Sequence, residues 1–162
     1  VLEAVLRSIG PVDMLIGHSV GGAACVWAMG QTDPALRPKR AIILAAFASI
    51  QYIMDNARQL IGASDALMEA VDDHIEHIYG KRIAAYSLAE TARTLGEVQA
   101  LIIHDRGDRV THFAEGEKLH AAWPGAGFWA TEGYGHGLTA PEVVEAVLEF
   151  AQGKTTQTAT FR

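Results

Sequence analysis

Several things are scarce in this sequence, and each scarcity excludes something. There is one cysteine, Cys25. It rules out an internal disulfide and fits a reducing compartment, so a cytoplasmic location is expected. There is no long hydrophobic run. The longest, AIILAAFASI at residues 41–50, falls far short of the ~20 residues a membrane-spanning helix needs. No charged n-region with an apolar h-region opens the chain, so no signal peptide is read. Positive charge is also short: 13 Lys and Arg stand against 19 Asp and Glu, a net charge of −6. Without a basic stripe, nucleic acid is not an expected partner. No linker or internal repeat divides the 162 residues, which suit one domain, 1–162. The chain opens at Val1 inside a helical pattern and without a methionine.

What is present is an ordinary globular composition, 49% apolar and 20% charged. Val1, Leu2, Val5, Leu6 and Ile9 recur at helical spacing, and Gly10-Pro11 stops them. Residues 12–16 form a short apolar run that reads as a buried strand. The small-residue stretch GGAACVWAMG reads as a helix able to lie close on a sheet. Residues 40–47 (RAIILAAF), 98–103 (VQALII) and 127–131 (GFWAT) give three more strands. The first two runs are almost continuously apolar, as strands covered on both faces of a parallel sheet are. Residues 48–97 follow a helical pattern, with a stripe of Leu67, Met68, Val71, Ile75 and Ile78 closed by Gly80. Residues 113–123 predict a helix ended by Pro124-Gly125. TAPE, with Thr139 and Glu142, has the form of a capping box ahead of a helix burying Val143, Val144, Val147, Leu148 and Phe150. The polar tail after Gly153 is expected to fray. The alternation of helices and strands predicts an α/β fold with a parallel sheet.

Three polar segments follow predicted strands, where an open parallel sheet collects reactive groups. GHSVGG, residues 17–22, presents Ser19 after the first. HDRGDRV, from His104, offers Asp105 and Asp108 after the third. EGYGHGL, from Glu132, offers His136 after the fourth. A serine hydroxyl needs a base within hydrogen-bond reach and a carboxylate to orient that base. Asp108 is preferred over Asp105 because two further residues let it reach toward the histidine loop. Asp105 then reads as a turn or helix-capping residue. The glycines around Ser19 would allow a sharp turn from strand to helix and free the Val20 amide to face an oxyanion. Other candidates have plainer readings: His18 and His104 as packed side chains, and Cys25, Trp123 and Trp129 as core. His74 and His77 sit near one helix face without an evident third metal ligand, so no metal site is assigned.

With these residues in view, the sequence resembles the α/β-hydrolase family. GHSVG at residues 17–21 matches its G-x-S-x-G nucleophile elbow. DRGDRV, from Asp105, looks like the loop of the family's acid, and GYGH, ending at His136, like that of its histidine. The resemblance implies a serine esterase mechanism without cofactor, with Ser19, His136 and Asp108 as triad and Val20 as an oxyanion-hole donor. It implies a small-molecule acyl substrate and a helical lid over residues 48–97. In the family the elbow follows the fifth of eight strands, and here it follows the first. The chain thus looks like the C-terminal part of such a domain, about four strands of the sheet. The loop supplying the second oxyanion-hole amide is absent. Two functional expectations follow: a hydrolase of ester-type carbonyls, or a catalytically idle truncated domain acting as an assembly module. The open sheet edge predicts a homo-oligomer or a complementing N-terminal chain.

Overall fold

The computed structural model describes residues 1–153; the tail expected to fray lies outside the described residues. Four parallel strands form one sheet in the order β1-β2-β3-β4: Met14–His18, Arg40–Leu44, Gln99–Asp105 and Gly127–Thr131. Their order in space follows their order in sequence, so every connection is a crossover past a helix. Helices α1 (Leu2–Ile9), α2 (Val20–Gln31), α3 (Ile50–Ile61), α4 (Asp65–Tyr79), α5 (Leu88–Ala92), α6 (Phe113–Ala122) and α7 (Pro141–Ala151) complete the described residues, with short 3-10 turns at Pro34–Leu36 and Ile83–Ala85.

Alternation along the strands builds two cores. On one face Leu15, Ala41, Ile43, Ala100 and Ile102 meet α2, α5 and α6. Small residues on α2, among them Gly22 and Ala23, let that helix sit directly on the sheet. On the other face Met14, Ile42, Leu44, Leu101, Ile103 and Trp129 meet α7 through Val143, Val147 and Phe150. Trp123 is buried, and its indole N–H donates to the Leu95 carbonyl at 3.1 Å.

The second face is covered only in part. Ile16 of β1 pairs in register with the fully buried Ile42, yet is 49% exposed. Val144 and Leu148 are 51% and 55% exposed, which corrects the expectation that they are buried. They are one helical turn apart, on a side of α7 that no described element covers. The other corrections are local. β1 lies two residues later than residues 12–16, because register with β2 carries Gly17 and His18 into the sheet. The capping box does not form: α7 starts with Ala140 as its N-cap and Pro141 in the first turn, without a side-chain cap. The pre-set φ of proline makes that start without a serine or threonine.

Candidate active site

Ser19 stands between β1 and α2 with φ 54° and ψ −124°, a conformation costing a non-glycine residue about 1–3 kcal/mol. The strain falls on the serine, not on its glycines, none of which has positive φ in this turn. The glycines act by close approach. A Cβ on Gly17 would lie 2.6 Å from the Gly21 oxygen and from the Gly22 Cα, so the strand end and the helix start can meet only without it. Gly21 has open space around it and is not required in this way. The Ser19 N–H donates to the Leu44 carbonyl at 2.8 Å, fixing the turn to β2. Val20 supplies the first N–H of α2, one of the orphan donors of a helix start.

The loop after β3 places Asp108 with its side chain fully buried. Its Oδ1 accepts from the amides of Val110 and Thr111 at 2.8 and 2.9 Å. Its Oδ2 lies 2.8 Å from His136 Nδ1, and His136 Nε2 lies 3.1 Å from Ser19 Oγ. A carboxylate only accepts, so Nδ1 carries the hydrogen and Nε2 presents its lone pair to the hydroxyl. The His136 side chain is 21% exposed, while the acid behind it is sealed. The structure thus brings Ser19, Asp108 and His136 into one hydrogen-bonded line at the carboxyl ends of β1, β3 and β4.

Asp105 stands apart from that line and caps no helix. Its Oδ1 accepts from the Gly107 amide, while Oδ2 accepts from Thr131 Oγ1 at 2.8 Å and from the Tyr134 amide at 2.9 Å. It therefore ties the acid loop to the histidine loop. Burial alone would push its carboxyl up. The donors from Tyr134, Thr131, Gly107 and Gly135 outweigh that and hold it below the ordinary carboxylate range.

His18, expected to be packed, is exposed instead, with its Nε2 on the His136 carbonyl at 2.8 Å. His104 is fully buried beside Asp108. Cys25 is buried in the core, and burial pushes its thiol up, away from the reactive thiolate. His74 and His77 are exposed, and among the described residues no group of three or more His, Cys, Asp or Glu could hold a metal ion. No helix of the described residues is long and apolar enough to cross a membrane.

No family model matches the chain, and no curated protein does. Solved structures do match. The esterase domain of a Rhodothermus marinus protein superposes with a TM-score of 0.65 at 22% identity, over 94% of this chain and 65% of that one. The meta-cleavage product hydrolase CumD of Pseudomonas fluorescens IP01 gives 0.59 at 16% identity, over 91% and 66%. An alpha/beta fold family hydrolase of Bacillus anthracis str. Sterne gives 0.58 at 14% identity, over 93% and 69%. The chain has the α/β-hydrolase fold, and spans about two thirds of the length of each of these structures.

Proposed function

We propose that the chain is a serine hydrolase acting on ester-type carbonyls of small acyl substrates. The observation that carries this reading is the hydrogen-bonded line from Asp108 through His136 to Ser19. Ser19 Oγ attacks the carbonyl carbon while His136 Nε2 takes the hydroxyl proton. Asp108, held by two backbone amides, keeps the ring in the required tautomer and stabilises its charged form. The oxygen of the tetrahedral intermediate is met by the Val20 amide at the positive end of α2. His136 then gives the proton to the leaving alcohol, and water repeats the sequence to release the acid. No cofactor enters these steps. The names of the structures with the same fold, an esterase domain and hydrolases among them, support the reading.

Residues 48–97 form the cover of the site in this proposal. Their helix α3 is tied to the acid loop, where the His112 amide donates to the Tyr52 hydroxyl at 2.9 Å. The test is a fluorophosphonate probe. Labelling at Ser19 that is lost in Ser19→Ala and His136→Ala is expected; a folded chain that stays unlabelled would overturn the reading.

A second reading, an idle truncated domain working as an assembly module, is favoured by one observation. β1 pairs on one side only among the described residues, and Ile16 on it and Val144 and Leu148 on α7 are exposed. Such an edge invites a further strand, from a second copy or from a separate N-terminal chain. The two readings are compatible if what pairs with that edge also brings a second oxyanion-hole amide.

A further inference from the structure

β3 carries His104 one residue before its end, with the ring fully buried. Phe113 of α6 stands edge-on to it, the ring centroids 5.9 Å apart at 89°. Its Nε2 lies 2.9 Å from the Thr111 carbonyl oxygen and 3.4 Å from Asp108 Oδ2. Since a carbonyl only accepts, Nε2 carries the ring's hydrogen.

The other nitrogen does nothing of the kind. Nδ1 has no hydrogen-bond partner among the described residues. It faces Gly116 of α6, where an added Cβ would lie 2.4 Å from it. A buried polar atom left unpaired costs about 1–3 kcal/mol, and an apolar side chain would carry no such atom. A histidine in this slot therefore needs a compensating role, and only Nε2 can supply one.

Thr111 shows what that role holds in place. Its carbonyl accepts from His104, and its amide donates to Asp108 Oδ1 at 2.9 Å. One peptide neighbour thus links the ring to one oxygen of the acid, while the ring's own N–H dipole lies near the other. That other oxygen, Oδ2, is the one 2.8 Å from His136 Nδ1.

We propose that His104 is a positioning residue of the site: from the buried side it fixes the rotation of the Asp108 carboxylate, so that Oδ2 stays aimed at His136. It touches neither substrate nor the reacting atoms. The catalytic consequence rests on the serine-hydrolase reading, but the positioning itself does not.

The first test needs neither a variant nor turnover. Long-range ¹H–¹⁵N NMR of the imidazole nitrogens should find His104 with hydrogen on Nε2; hydrogen on Nδ1 would overturn the proposal. The second compares His104→Gln, whose amide N–H can reach the position of Nε2, with His104→Leu, which has no donor. Leu should shift the downfield Nδ1–H resonance of His136, and Gln should largely restore it. With p-nitrophenyl acetate, Leu should lower kcat about tenfold at unchanged KM, with Gln within about threefold of the parent. Equal resonances and equal kcat in the two variants would overturn the proposal. If neither variant folds, the tautomer in the parent chain decides. A parent chain inert to fluorophosphonate refutes the hydrolase reading and leaves this one to be decided by the NMR.

Discussion

His18 Nε2 lies 2.8 Å from the carbonyl oxygen of His136, and the two rings stand 4.9 Å apart between centroids at 56°. The carbonyl only accepts, so His18 donates. The residue preceding Ser19 in the chain thus grips the main chain of the residue that reaches Ser19 in space. His18→Ala should lower kcat by a factor of about 2–10, the worth of one net hydrogen bond, and lower the melting temperature by no more than about 4 °C. Ester hydrolysis beside a thermal melt checks both.

Removing the hydroxyl is the severest change. Ser19→Ala should reduce turnover of a p-nitrophenyl ester by about 10⁶, the scale for a triad nucleophile. A variant that retains most of its activity would mean another nucleophile.

The two aspartates should separate by kind of defect. Asp108→Asn should lower kcat by about 10⁴ because the amide favours the wrong tautomer of His136. Asp105→Asn sets an amide N–H₂ among groups that all donate, and should appear chiefly as a lower melting temperature. Kinetics and calorimetry on the pair give the test. A larger kcat loss in Asp105→Asn would reassign the acid.

Acid should act through Asp105. Its folded carboxyl titrates below the ordinary value of about 3.9, burial being outweighed by its donors. A depressed folded value contributes stability that is complete above the unfolded value and is lost as pH falls through the folded one. The parent chain should lose stability below about pH 4, and Asp105→Asn should lose less over the same range. Denaturation midpoints across that window decide it.

The uncovered face makes a prediction about mass. The chain at micromolar concentration should sediment as a species larger than the monomer, or become so with a separate N-terminal chain. Ile16→Glu should return it to the monomer. A well-folded monomer under both conditions would show the assembly proposal to be wrong.

How much of this could be read in the sequence depends on the range of the signal. β4 was legible to the residue because Gly127–Thr131 is an apolar run between turn formers. β1 was not, since Gly17 and His18 join the sheet through pairing with Ile43 and Leu44 and not through their own hydropathy. Thr139 looked like a cap because spacing cannot tell that Pro141 makes the helix start on its own. The periodicity of α7 marks Val144 and Leu148 as apolar without saying what stands opposite them. Ser19, Asp108 and His136 were legible as residues after strands. The tasks of His18, Asp105 and His104 were not, because each is a contact from the end of a strand to a loop whose placement only the fold supplies.

The edge position of β1 also has a kinetic meaning. Its amides can be shielded from one side only, so deuterium should enter β1 sooner than the doubly flanked β2 and β3. Ser19 therefore follows an edge strand, while Asp108 follows one paired on both sides. The distance between the Ser19 hydroxyl and the His136 imidazole should then vary with that strand's opening. Anything that caps the edge should slow exchange at residues 14–18 and narrow the spread of the Ser19–His136 distance in one event.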